Sequence, residues 1–185
     1  MIKDHSSGFG LLSIVLHWVS ALLIVVLFGL GLYMVGLSYY DPWYNRAPSL
    51  HISLGLLVLL LTLIRIVWRL AQRRNPAPLP EHSRAVRLSS VVVQLSLYGL
   101  ILAVAVTGYL MTTADGRSAS LFGLIQFPSV MRLDGAGVDL AGALHYWLAW
   151  AIIVLAVLHS LAALAHHFVL RDRTLVRMLN PRRRD

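Results

Sequence analysis

Residues 140–170 read LAGALHYWLAWAIIVLAVLHSLAALAHHFVL, without one Asp, Glu, Lys or Arg. A helix crosses a bilayer with about 20 apolar residues, so this run is long enough to span. It carries His145, His159, His166 and His167. Polar rings inside a membrane span are costly and by default mark a functional site. His145 and His159 are 14 residues apart. At about 100° per residue they fall within roughly 40° of one face and about 21 Å apart along the axis. That places one imidazole near each side of a hydrocarbon core about 30 Å thick. One helix therefore offers half of two ligand pairs, as two stacked haems would require.

Working outward, three further apolar segments appear at about 11–37, 49–70 and 88–112, before the fourth at about 140–170. The expected fold is all-α: an integral-membrane four-helix bundle forming one domain over residues 1–185, with a basic tail at 171–185. The composition agrees, since 58% of the 185 residues are hydrophobic and only 13% are charged. A soluble domain carries nearer a quarter charged residues. No cysteine is present, which excludes disulfides, iron–sulfur clusters held by this chain, and covalent haem attachment through C-x-x-C-H. The start, MIKDHSSGFG, has a single lysine and leads into a span without an A-x-A-like exit, so no cleavable signal is expected. Arg- and Pro-rich residues 71–87 read as a solvent loop, and residues 113–139 as a longer loop whose LFGLIQFPSV segment is expected to return to the surface as a short helix. No internal repeat is evident.

The net charge of +8 does not indicate nucleic acid, because the basic residues cluster beside the spans. With the N-terminus inside, the inner side holds Lys3, six arginines from Arg65 to Arg87 and six from Arg171 to Arg184. The outer side holds Arg46, Arg117 and Arg132. This bias predicts that both termini are cytoplasmic.

Orientation assigns a depth to each histidine. His17 and His159 lie near the inner side, His51 and His145 near the outer side. Depth pairs His17 with His159 and His51 with His145, giving two bis-histidine b-type haems, with the third span contributing only packing. A lone histidine at a helix end reads equally well as an interfacial side chain, but two depth-matched pairs do not. Imidazoles also suit zinc or copper, and a histidine proton relay is a further reading, though no intramembrane carboxylate or thiolate accompanies them. His166, about 10 Å inward of His159 on the same face, is a candidate for a haem propionate or a quinone carbonyl, or an interfacial ring. His167 turns away toward the surface, and His5 and His82 read as solvated. Arg65 and Arg69, at the inner end of the second span, can snorkel or pair with propionates. Trp18 reads as packing. Gly29, Gly31, Gly55, Gly99 and Gly108 are places of close approach.

LHW at 16–18, HISLG at 51–55, IRIVWRL at 64–70, FGL with Pro128, LHYWLAWAIIVLAVLHSLAALAHHF at 144–168 and the tail LRDRTLVRML together resemble the bacterial cytochrome b561 family across nearly the whole chain. The resemblance implies a four-helix inner-membrane dihaem cytochrome b that exchanges single electrons between the periplasmic side and the quinone pool. Its ligand positions fall on His17, His51, His145 and His159. Some members are superoxide oxidases that pass electrons from periplasmic superoxide to ubiquinone, and His166 falls where such proteins have a histidine implicated at the quinone end. A positive outer surface would favour steering superoxide. Here Arg46, Arg117 and Arg132 face Asp41, Asp115, Asp134 and Asp139, a formal sum of −1. The alternatives are a membrane-anchor cytochrome b subunit of a larger dehydrogenase or hydrogenase, and a haem-free transporter or structural bundle.

Overall fold

A computed structural model describes residues 2–72 and 76–181. Of the arginines that set the orientation, Arg73, Arg74, Arg182, Arg183 and Arg184 lie outside the described residues. Four long helices account for most of the chain: α1 (Leu11–Val35), α2 (Arg46–Ala71), α3 (Arg84–Thr112) and α4 (Gly135–Phe168). All four are long and apolar enough to cross a membrane. In hydrocarbon every backbone N–H and C=O must be satisfied within the protein, and a helix does this internally. An even number of crossings returns both termini to one side.

Three helices begin earlier than hydropathy suggests, because capping chemistry rather than apolarity sets their first turns. In α2, Pro48 lies within the first turn, where its missing N–H costs nothing, so the helix starts at Arg46. Ser83 caps α3 by accepting from the Val86 N–H at 3.3 Å. Asp134 caps α4 by accepting from the Gly137 N–H at 2.8 Å. The 34 residues of α4 extend about 50 Å, well beyond a 30 Å core. It is therefore longer than an upright crossing needs.

In the bundle α1 packs on α2, α2 on α3 and α3 most extensively on α4, while α1 and α4 touch sparingly. This order places α2 diagonally across from α4. Small polar side chains of the helices, among them Ser20, Ser53 and Thr62, are buried. Such residues allow close helix approach in a bilayer.

The 113–139 segment does not form the expected short helix. It makes an antiparallel hairpin of β1 (Ala119–Leu121) and β2 (Ile125–Phe127), pairing Ala119 with Phe127 and Leu121 with Ile125. Phe122 at φ 51° and Gly123 at φ 74° occupy the left-handed region, which turns the chain where a right-handed helix would have continued it. Ser53 of α2 holds the turn in two directions, donating to the Ser120 carbonyl and accepting from the Phe122 N–H, both at 3.1 Å. Tyr109 donates to the Pro128 carbonyl, and Ser129 donates to the Thr113 carbonyl at 2.8 Å. The hairpin thus caps the outer end of the bundle.

At the other end the N-terminal residues fold back. Gly10 donates to the Asp4 carboxylate at 2.7 Å, and Ala77 to the Ser6 carbonyl at 3.0 Å. A Cβ on Gly10 would collide with the Ile2 carbonyl and Lys3 backbone, so glycine is required there for close approach. After α4 the chain turns at Arg171 (φ 55°) and lays a short 3-10 turn, Val176–Met178, against the bundle. Trp18 donates from Nε1 to the Met178 carbonyl at 2.8 Å, so this ring ties α1 to the tail besides packing.

This topology predicts that a fluorescent protein fused to the C-terminus is bright in intact cells, while alkaline phosphatase inserted at Gly123 is active. The reverse pattern would place the hairpin in the cytoplasm.

Candidate functional site

The four intramembrane histidines meet in two pairs at two depths. His17 of α1 and His159 of α4 have ring centroids 6.5 Å apart. His51 of α2 and His145 of α4 are 6.1 Å apart. Two metal–imidazole bonds of about 2 Å, set in line on one metal, separate ring centroids by roughly 6 to 6.5 Å. Both gaps would admit a metal between the two rings, and neutral imidazole is a haem-iron donor.

The rings are oriented by their neighbours. His145 Nδ1 lies 2.9 Å from the Val104 carbonyl of α3 and 3.4 Å from Thr107 Oγ1. Donation to that carbonyl selects the Nδ1–H tautomer and leaves Nε2 with a free lone pair, the arrangement usual for a metal-binding histidine. The third helix therefore does more than pack. Glycines make room for the rings. A Cβ on Gly108 would sit 2.8 Å from His145 Cε1, and one on Gly31 would sit 3.4 Å from His51 Cε1. A Cβ on Gly29, Gly55 or Gly99 meets nothing within 4 Å. Phe28 and Trp150 meet edge to face at 4.9 Å, placing an aromatic contact between α1 and α4.

Arg65 and Arg69 lie at the cytoplasmic end of α2 beside a small cavity also lined by Asp4, Ser13, Trp68 and Tyr98. The Arg65 guanidinium sits 5.5 Å above the Tyr98 ring. Trp68 donates to Ser13 Oγ at 3.1 Å, closing one wall.

His82 departs from the sequence reading, and His166 has a partner that reading did not name. His166 Nδ1 bonds to the Asp172 carboxylate, and His82 Nε2 lies 3.0 Å from the same carboxylate oxygen. Only 16% of the His82 side chain is exposed, so it is not solvated as expected. His5 is also buried, at 5% exposure, with Nδ1 bonded to Ser7 Oγ at 3.0 Å. Both corrections have one cause: the N-terminal residues, the α2–α3 loop and the tail fold over one another. No local signal announces such long-range contacts. Within the tail, the Thr174 N–H donates to Asp172 Oδ1 at 2.8 Å in an Asx turn, a local contact that does not point to either histidine.

The sequence pattern of prokaryotic cytochrome b561 matches residues 8–181. This chain belongs to that family. It is 47% identical to cytochrome b561 homolog 2 of Escherichia coli over 92% of this chain and 90% of that protein. It is 33% identical to the probable superoxide oxidase CybB of Yersinia pestis, over 93% and 96% respectively, and 32% identical to cytochrome b562 of Cereibacter sphaeroides, over 95% and 97%. As a cytochrome b561 protein with four spanning helices, it is a multi-pass protein of the bacterial inner membrane that binds haem b and transfers electrons.

Burial pushes the Asp172 carboxyl upward, but the hydrogen bonds from Thr174, His166 and His82 outweigh it and hold the group well below the usual carboxylate range. A lowered folded-state value stabilises the docked tail above the unfolded value of about 3.9, and this contribution is lost as pH falls below it. Hydrogen-exchange protection of the 172–179 amides, corrected for intrinsic rates, is therefore expected to be steady near neutrality and to fall below about pH 4. In Asp172→Asn this acid-side loss is expected to be absent.

Proposed function

We propose that this cytochrome b561 protein holds two bis-histidine haems b, one between His17 and His159 and one between His51 and His145. In this reading it moves single electrons between the periplasmic side and membrane quinone. The observation that carries the reading is the pair of imidazole gaps, 6.5 and 6.1 Å, at depths about 21 Å apart on α4. When bound, the haems supply two one-electron carriers across the bilayer. The chain's own work is to hold and orient. Val104 and Thr107 fix His145, Gly31 and Gly108 leave the rings space, and apolar helix faces exclude water and keep the imidazoles neutral. Arg65 and Arg69 serve the propionates of the inner group as cationic partners. His166 faces quinone with its Nε2 edge, because its Nδ1 edge is engaged by Asp172.

Superoxide is the proposed periplasmic donor and ubiquinone the proposed acceptor. Two superoxide anions each lose one electron and become dioxygen, while one quinone gains two electrons and two cytoplasmic protons to become quinol. The name of the Yersinia pestis relative supports this choice. The outer charge does not add to it: Arg117 is paired with Asp115 at 2.5 Å, so that arginine is locally neutralised. The alternative, a membrane-anchor subunit docking a periplasmic dehydrogenase, is favoured by the apolar hairpin tip, where Leu124 is 85% exposed.

Dithionite-reduced minus oxidised spectra of the purified protein, with haem quantified per chain, test the reading. Two low-spin haems are expected, reduced by superoxide and reoxidised by ubiquinone. His51→Ala or His17→Ala is expected to reduce the content to about one haem per chain. Gly108→Ala, which crowds His145, is expected to lower or shift the outer signal only. Two haems indifferent to superoxide would favour the docking subunit, and an unchanged haem content in both histidine variants would overturn the ligation.

A further inference from the structure

Outside the four paired histidines, the chain brings together a second set of metal-ligating side chains. His82 comes from the α2–α3 loop, His166 from the last turn of α4, and Asp172 from the tail. Their donor atoms all lie within 4.8 Å of one another. His82 Nε2 and His166 Nδ1 both point at a single oxygen, Asp172 Oδ2. The side chains are largely withdrawn from water, at 16%, 17% and 8% exposure.

We propose that His82, His166 and Asp172 form a site for a borderline-soft divalent transition metal of the zinc class, which ties the α2–α3 loop and the C-terminal segment to the end of α4. The donor set decides the metal class. Two imidazole nitrogens and one carboxylate oxygen suit zinc, nickel, cobalt or copper, whereas magnesium and calcium prefer all-oxygen sites. Three protein ligands leave a fourth tetrahedral position for water, or for Thr174, whose Oγ1 lies 3.3 Å from His82 Nε2.

The surroundings orient these donors in advance. The Thr174 N–H occupies Asp172 Oδ1 at 2.8 Å, which aims Oδ2 at the two rings. Arg87 Nε donates to the His82 carbonyl at 3.0 Å and holds the loop from the α3 side. Arg177 donates to the Ala77 carbonyl at 2.9 Å and holds the tail against the same loop. Arg171, in the left-handed region at φ 55°, reverses the chain so that Asp172 returns toward α4. The carboxylate is ionised, as a ligand must be, because its hydrogen bonds outweigh the cost of burial. It has arginines on both sides in sequence, Arg171 and Arg173, yet the ion-pair contacts described for it are with the two histidines. The metal would use the Nδ1 edge of His166, so the proposal stands independently of the quinone reading, which uses Nε2.

The test uses full-length holoprotein in lipid nanodiscs with every affinity tag removed. Equilibrium dialysis against buffered Zn²⁺, read by elemental analysis, is expected to give one zinc per chain in the wild type. His82→Ala and Asp172→Asn are each expected to bind at least tenfold more weakly, with the haem spectrum reporting that each variant is folded. Zinc is also expected to slow tryptic cleavage after Arg173 and Arg177 in the wild type and to leave the rate in His82→Ala unchanged. Excess Mg²⁺ is expected not to displace it. Zinc held equally by the wild type and both variants, or no stoichiometric zinc in the wild type, would overturn the proposal.

Discussion

An imidazole inside a bilayer must satisfy both of its nitrogens without water, and much of this architecture answers that demand. An unsatisfied polar group in hydrocarbon costs several kcal/mol, and the chain places four such rings at membrane depth. His145 shows the solution most completely. Its Nδ1 meets the Val104 carbonyl at 2.9 Å, and its Nε2 edge is left for His51 or a metal shared with it. The His51 ring is set instead against the Leu27 backbone of α1. The bundle order follows. Because α4 carries one member of each pair, it must lie beside α1 at one level and reach across to α2 at the other. The extensive α3–α4 packing then fixes α4 where both partners can be met.

Much of this was legible in the sequence because helices and depths obey simple arithmetic. A 14-residue interval puts His145 and His159 on one face of α4, and the arginine bias orders His17 and His51 by depth. The structure brings together the partners that this reasoning pairs. What was not legible depends on contacts between distant segments or on backbone atoms. No side-chain pattern announces that Val104 offers a carbonyl to a ring 41 residues later. Hydropathy cannot show that Phe122 and Gly123 turn left-handed and make a hairpin of a segment apolar enough to suggest a surface helix. Nor does a polar flank reveal that His82 is covered by a tail 90 residues further on. His166 was read as an inner-side ring of α4, but its partner Asp172 stood in a stretch that reads only as a basic tail.

The two ends of the bundle are built differently, and the difference bears on how electrons and protons are handled. At the periplasmic end the hairpin is fastened to α2 by Ser53 and to α3 by Tyr109 and Thr113, a cap joined largely through short-range polar bonds. At the cytoplasmic end the N-terminal turn, the loop and the tail overlap around Arg65, Arg69, His82, His166 and Asp172. Titratable and cationic groups are thus gathered at this end, where the proposed two-electron, two-proton reduction of quinone would draw on them.

That asymmetry also explains why α1 and α4 can touch so sparingly. The inner histidine pair bridges the edge between them, and a flat macrocycle held there would replace direct helix packing with contacts to its own faces. Cohesion at this edge then depends on what joins the helices from outside. Trp18 supplies part of it, since its bond to the Met178 carbonyl fastens α1 to the segment that follows α4. Asp172 supplies the rest by holding that segment against His166 on α4 and His82 on the neighbouring loop. The tail is therefore a strap across an edge of the bundle where the helices touch sparingly. That attachment is made by one carboxylate and two imidazoles rather than by an arginine pair.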